Sequence, residues 1–152
     1  MIKELHSRLR SDEHYMKAAL REAEIAFSKD EVPVGVVVVC NNMIIARAHN
    51  LTETLNDPTA HAEMQAITAA ASFTGGKYLG DCTFYISVEP CIMCAGALFW
   101  SQAGRIVFGA SDEKRGFGTA GSPILHPRTR VSEGVLSSEA KSLMKEFFKK
   151  KR

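Results

Sequence analysis

The sequence has no long apolar run. Nothing in its 152 residues approaches the roughly 20 consecutive apolar residues that a membrane-spanning helix needs, so no membrane association is expected. Cysteine is scarce. There are four, and their spacing offers no disulfide framework of the kind that staples small secreted domains. Residues 1–10 lack the apolar segment of a signal peptide, and a reducing cytoplasm is the expected home. An excess of one charge is missing too. Nineteen Lys and Arg stand against seventeen Asp and Glu, a formal net charge of +2, too small to argue nucleic-acid binding without a local patch. Internal repeats and low-complexity tracts are absent. What is present is an ordinary globular balance, 45% hydrophobic and 24% charged, enough for a core without disulfides. The length predicts a single domain over residues 1–152.

Against this background two short segments stand out, His61-Ala62-Glu63 and Pro90-Cys91-Ile92-Met93-Cys94. One His and two Cys are ligand types that zinc prefers. A structural zinc site closes with four protein ligands, whereas a catalytic one keeps a position for water. No fourth Cys or His stands at motif spacing, which predicts a catalytic site with His61, Cys91 and Cys94 holding one Zn2+ per subunit. A Cys2His set favours zinc over hard cations. Glu63 follows His61 closely enough to act on a water without taking a ligand position. The composite H-x-E with P-C-x-x-C marks zinc-dependent nucleobase deaminases. In that chemistry zinc lowers the pKa of its water to about 7. The carboxylate takes the water proton, passes it to a ring nitrogen of the base and later protonates the departing ammonia. An amino group becomes a carbonyl. Two other readings explain less. A thioredoxin-type redox pair accounts for C-x-x-C but not for His61 or Glu63, and a structural zinc knuckle needs one more ligand.

The flanking pattern predicts where these residues sit. Residues 11 to about 29 read as an amphipathic helix, with Met16, Ala19, Leu20, Ala23 and Phe27 at three- and four-residue steps and Ser11 or Asp12 as cap. Residues 36–40 form a continuous β-branched run, Asn41-Asn42 suits a tight hairpin turn, and 43–49 return as a second strand. Asp57-Pro58-Thr59 is a turn-and-cap sequence before a helix from 61 to about 73, ended by Thr74-Gly75-Gly76. Residues 82–88 form a third strand. Pro90 introduces a helix from 91 to about 101, in which the small residues Ala95, Gly96 and Ala97 are expected to permit close approach to a neighbour. Both ligand sets then lie in first turns of helices, where partial positive charge favours thiolates and a developing oxyanion. A fourth strand (105–110), a loop (111–126), a short fifth strand (129–135) and a final helix (137 to about 150) complete the chain. Cys40 and Cys82 read as buried thiols, and His49 as a surface or packing residue. The order predicts an α/β sandwich on a mixed sheet, with the metal where helix N-termini meet strand ends.

Several longer stretches resemble the bacterial tRNA-specific adenosine deaminase family. They are Glu31-Val32-Pro33-Val34-Gly35, Ala48-His49-Asn50, Asp57-Pro58-Thr59-Ala60-His61-Ala62-Glu63 and Glu89-Pro90-Cys91-Ile92-Met93-Cys94-Ala95-Gly96-Ala97. Arg105-Ile106-Val107-Phe108-Gly109-Ala110, Gly121-Ser122, Glu133-Gly134-Val135-Leu136 and Phe147-Phe148 extend the likeness to nearly the whole chain from about Tyr15. The resemblance implies a cytidine-deaminase-like three-layer α/β/α sandwich with a mixed sheet of about five strands. It implies a homodimer, and hydrolysis of adenosine to inosine at the wobble position of a tRNA anticodon loop. It implies Glu63 as proton shuttle, Asn50 bonding the base or its sugar, Val34 and Ala62 lining the base pocket, and one of Phe147 and Phe148 helping to close it. On apolar character alone, Val34 and the two Phe also read as core, and Asn50 also reads as a strand end.

The sequence departs from the family in several places. Residues 122–131 look short, Ser111 and Gln102 stand where Arg is frequent, and Trp100 looks more like the related guanine deaminases. These positions leave the zinc chemistry intact but bear on the substrate. A free purine base or nucleoside deaminase with the same zinc mechanism is the alternative reading. A non-catalytic zinc module that binds RNA is a third, and Glu63 argues against it, because a structural site has no use for an acid/base there. Lys141, Lys145, Lys149, Lys150, Lys151 and Arg152 cluster on or after the last helix, and either contact phosphate or form a solvated basic end.

Overall fold

Val36 and Val38 face one side of a sheet and Val37 and Val39 the other, and all four are buried. A strand covered on both faces reads as a continuous apolar run, not as an alternating one. This is strand β1 (Gly35–Cys40). The structure, a computed structural model, describes residues 11–151. The expectation drawn from residues 1–10, and the last basic residue, Arg152, lie outside the described residues.

Around β1 the chain builds α1 (Asp12–Ser28), β2 (Met43–His49), α2 (Ala62–Thr74), β3 (Cys82–Val88), α3 (Ile92–Ser101), β4 (Arg105–Ala110), a 3-10 turn (Phe117–Ala120), β5 (Arg130–Ser132) and α4 (Ser137–Lys150). The sheet order is β2-β1-β3-β4-β5. β1 is antiparallel to β2 and β3, and β4 is parallel to both β3 and β5. The hairpin between β1 and β2 turns on Asn41 and Asn42, both at positive φ (52° and 60°), the conformation that the favoured two-residue hairpin requires. α1 and α4 cover one face, α2 and α3 the other. The expected three-layer α/β/α sandwich with a five-stranded mixed sheet is the observed fold.

The α2–α3 face carries the larger core, with Phe84, Ile86, Leu98, Ile106 and Ala66 among its fully buried members. On the other face, α1 packs so closely that a Cβ on Gly35 would overlap the Ala19 carbonyl oxygen. Ser11 caps α1 by accepting from the His14 N–H at 3.1 Å. At the start of the same helix, Arg105 donates to both carboxylate oxygens of Asp12 (2.8 and 2.7 Å), and the Tyr85 hydroxyl donates to Asp12 at 2.8 Å. The bidentate Arg105 guanidinium holds the Asp12 carboxyl below its ordinary range. This network ties α1 to β3 and β4.

Two expectations are revised. The fifth strand is confined to Arg130–Ser132, because Gly134 and Leu136 take positive φ (82° and 54°) and bend the chain into α4. Gly96 does not seat α3 against a neighbour within the chain, since a Cβ there would meet nothing within 4 Å.

Candidate active site

The three ligand candidates sit where helices begin. His61 is the N-cap residue of α2 and Cys91 that of α3, and neither side chain makes a capping hydrogen bond. Cys94 lies one turn into α3 and is buried. β3 delivers Cys91 from the core of the sheet, and the Glu89 N–H donates to the Ala110 carbonyl at 2.7 Å to continue the β3–β4 pairing. The site therefore forms at the carboxyl ends of the parallel strands, beside two helix N-termini.

His61 Nδ1 lies 3.6 Å from Cys91 Sγ and 3.5 Å from Cys94 Sγ, and the three ligand atoms all fall within 4.8 Å of one another. Zn–S bonds of about 2.3 Å and Zn–N bonds of about 2.0–2.1 Å in a tetrahedron would separate N from S by about 3.6 Å. The donor set and its spacing fit one zinc ion, which His61, Cys91 and Cys94 could hold together.

The electrostatics of the protein alone are polarised. The Cys94 thiol donates toward Cys91 and pulls the Cys91 thiol down to about 5, against desolvation and with help from the Cys94 and Met93 N–H groups at the start of α3. Cys94 moves upward for the complementary reason, since it faces the Cys91 sulfur in a buried position next to Glu63. Glu63, in the first turn of α2, is 4% exposed. Burial pushes its carboxyl up to about 7, partly offset by its own N–H and by Cys94. A carboxyl poised near neutrality can both take and return a proton.

The other expected residues are placed as follows. Ala62 is fully buried in the α2-side core, and Val34 packs against that core. Asn50 follows β2, and its N–H donates to the Val34 carbonyl at 3.2 Å. The next N–H, of Leu51, donates to the Ala60 carbonyl at 3.0 Å. The structure thus brings Val34, Asn50 and Ala60 together just ahead of His61. Phe147 and Phe148 lie on the α1 side of the sheet. Phe147 is buried with its ring 5.9 Å from that of Phe27, whereas Phe148 is 45% exposed. His49 is bonded to Glu22 at 3.2 Å and Lys29 at 3.3 Å, a packing role as expected. Cys40 and Cys82 are free thiols, Cys82 buried and Cys40 partly so. Among the basic residues of the tail, Lys150 sits over the Phe27 ring and Lys151 pairs with Asp30 at 2.6 Å, so both help fasten α4 to the end of α1.

Two glutamates escaped the sequence reading. Glu89 accepts from the Asp112 N–H at 3.0 Å and the Gly118 N–H at 2.9 Å, folding residues 112–118 against Pro90 and Cys91. The Phe117 N–H donates to the Pro90 carbonyl at 2.9 Å, and Cys91 bridges to Gly116. Glu31, wholly buried, organises residues 52–54. The only sequence signal for either was an acidic residue inside an otherwise apolar motif.

Comparison with known proteins agrees with this geometry. Residues 9–110 match the family model described as the cytidine and deoxycytidylate deaminase zinc-binding region. The chain is 46% identical to a tRNA-specific adenosine deaminase of Aquifex aeolicus (strain VF5), over 92% of this chain and 95% of that protein. A structure from a study of A-to-I editing by tRNA:A34 deaminases superposes with a TM-score of 0.80 at 38% identity, covering 86% of this chain and 98% of that one. A guanine deaminase from Bacillus subtilis gives a TM-score of 0.66 at 35% identity, covering 76% and 73%.

Proposed function

Since the chain belongs to the tRNA-specific adenosine deaminase family, we propose that it hydrolyses adenosine to inosine at the wobble position of a tRNA anticodon loop. The observation that carries this reading is the meeting of a His61–Cys91–Cys94 donor set with the buried Glu63 carboxyl, two residues along the chain from His61. When bound, zinc supplies acidification of water to a pKa of about 7. Glu63 takes the proton of the attacking water, delivers it to the ring nitrogen beside the amino-bearing carbon, and returns a proton to the leaving ammonia. The buried setting of Glu63 excludes bulk water from these transfers. Val34 and Ala62 line the base pocket and Asn50 bonds the nucleoside. One of Phe147 and Phe148 helps close the pocket; Phe148 is the more exposed of the pair, while Phe147 packs on Phe27 and anchors α4.

A single domain spans residues 1–152 in this reading. A wobble nucleotide lies unpaired in a loop, so it can be splayed into a pocket at small cost. Lys141, Lys145 and Lys149 are solvent-exposed and available for phosphate. The enzyme acts as a homodimer. Ile92, Met93 and Trp100 are exposed on α3 (50, 38 and 77%) in line with Gly96, an uncovered stripe that suits a second copy. No helix among the described residues is long and apolar enough to cross a membrane, and we place the protein in the cytoplasm with its tRNA.

The test is incubation of the zinc-loaded protein with unmodified tRNA bearing a wobble adenosine, and in parallel with free adenosine, adenine, guanine and cytidine. Inosine confined to the wobble position is the expected result. Ammonia from guanine or another free base or nucleoside, with tRNA untouched, would sink the tRNA reading. The second reading, a free purine deaminase, is favoured by one observation, the likeness to the guanine deaminase from Bacillus subtilis.

A further inference from the structure

A carboxylate in a protein interior is costly unless its oxygens are hydrogen-bonded. Glu31 is 0% exposed. Its Oε1 accepts from the Glu53 N–H at 3.0 Å, from Asn50 Nδ2 at 3.4 Å and from Thr52 Oγ1 at 3.5 Å. Its Oε2 accepts from the Thr54 N–H at 2.7 Å and from Thr54 Oγ1 at 2.6 Å. Each oxygen therefore faces a backbone N–H. A glutamine in either orientation would set its NH2 against one of them, so the position demands a carboxylate. The loop built around it, residues 51–60, is closed at its base by the Leu51–Ala60 bond and leads into His61.

The same carboxylate decides how Asn50 is turned. Asn50 Nδ2 carries two hydrogens and has two acceptors, Glu31 Oε1 at 3.4 Å and Thr52 Oγ1 at 3.2 Å. The reversed amide would press its oxygen against an ionised carboxylate. Among the described residues no fully buried side-chain N or O atom lacks a hydrogen-bond partner. Among the described residues Asn50 Oδ1 has no hydrogen-bond partner and is not a fully buried atom, so it keeps access to solvent although Asn50 as a whole is 6% exposed.

We propose that Glu31 is a positioning residue for the deamination. With Thr52, it holds the Asn50 amide nitrogen inward and leaves Oδ1 as the atom Asn50 offers to a hydrogen-bond donor of the substrate. This deepens, and rests on, the reading that Asn50 meets the nucleoside. The reach of Glu31 is through Asn50 and the loop, not to the reacting atoms.

The experiment uses the zinc-loaded protein, wild type and with Glu31→Gln, Thr52→Val, Asn50→Ala and the two doubles carrying Asn50→Ala. Zinc content, melting temperature and kcat/KM on wobble-adenosine tRNA are measured, together with the side-chain amide pair of Asn50 in a 15N-correlated NMR spectrum, assigned by its loss in Asn50→Ala. Thr52→Val leaves the Glu53 and Thr54 bonds in place and keeps the loop folded. Glu31→Gln is expected to lower kcat/KM by about 10- to 100-fold, as outer-layer partners of site residues do, and Thr52→Val by less. Both losses shrink to within about twofold once Asn50 is Ala, because the residues act as one unit. The Asn50 amide pair shifts in both single variants. Losses that persist undiminished in the Asn50→Ala background, or an unmoved amide pair, would overturn the proposal. Wild type that leaves the wobble adenosine untouched would instead defeat the functional reading, and the amide resonance would still decide the orientation of Asn50.

Discussion

Glu31 and Glu63 are both buried, at 0% and 4% exposure, yet their surroundings drive them in opposite directions. Glu31 is desolvated, but the hydroxyl and N–H of Thr54, the Glu53 N–H and Thr52 outweigh that cost and hold its carboxyl below the ordinary range. Glu63 is desolvated beside two sulfurs, with its own N–H and Cys94 as the opposing donors, and its carboxyl rises to about 7. Burial alone does not decide whether a carboxylate serves as a fixed charge or as a movable proton. The number of donors left around it does. The loop region has satisfied its glutamate with hydrogen-bond donors. The metal region has left its glutamate wanting a proton, which is the condition for general acid–base work.

The largest effect should follow from removing a ligand from the metal region. Cys94→Ala, or extraction of the metal with a strong chelator, is expected to abolish deamination, with zinc content by elemental analysis falling alongside activity. Full activity in metal-free protein would end the comparison at once. Next comes Glu63→Gln. It should retain zinc and lower single-turnover deamination by about 10²- to 10⁴-fold. The metal-free form should be no less stable than wild type near pH 7, because a neutral amide relieves the desolvated carboxyl. Turnover close to wild type would remove Glu63 from the proton path.

The opposite shifts imply opposite pH slopes. The Glu31 carboxyl is held below its ordinary value of 4.5. Its stabilisation is complete above that pH and is lost as pH falls through the folded value, where the unfolded chain takes the proton first. Glu63 behaves inversely in the metal-free protein. Between 4.5 and about 7 the folded state holds a proton that the unfolded chain has released, so stability declines as pH rises through that window, by about 3 kcal/mol in all. Urea unfolding from pH 3 to 8 on wild type, Glu31→Gln and Glu63→Gln separates the two. The difference between wild type and Glu63→Gln isolates the carboxyl from the Cys91 thiol, which titrates at about 5 in the same range. Parallel profiles for the two variants would show that burial, not donor supply, governs both residues.

How much of this was readable beforehand depends on whether the partners were close in sequence. His61, Cys91 and Cys94 were legible because each motif fits within one helical turn and the ligand types name the metal. The α2 and α3 starts, expected at 61 and 91 from Asp57-Pro58-Thr59 and Pro90, lie at 62 and 92, with His61 and Cys91 as N-caps that make no side-chain capping bond. β2, β3 and β4 were legible from apolar runs bounded by turn residues. Glu31 was not, because its partners lie at residues 50–54 and several are backbone N–H groups, which carry no residue signature. Glu89 was hidden in the same way behind the N–H groups of Asp112 and Gly118. Small residues on α3 suggested internal close packing, but the sequence does not distinguish a face turned to the chain's own core from one turned outward, and Gly96 turns outward.

The smallest expected effect tests the donor argument at a single atom. Thr54 is exposed apart from its hydroxyl contact, and its Oγ1 donates to Glu31 Oε2 at 2.6 Å. Thr54→Val keeps the shape and the Thr54 N–H but removes that donor. One hydrogen bond to a charged group is worth about 1.5–3 kcal/mol, and water can reach this edge of the loop, so a loss at or below the lower end is expected in urea unfolding at pH 7. The acid limb should also move, since a carboxylate with one donor fewer is protonated at higher pH. The stability difference between wild type and Thr54→Val would then narrow as pH falls through the folded-state values, which the variant reaches first and wild-type Glu31, held below its ordinary range, later. A difference that stays constant down to pH 3 would mean that Thr54 contributes packing alone, and that the backbone N–H groups of residues 53 and 54 suffice to separate Glu31 from Glu63.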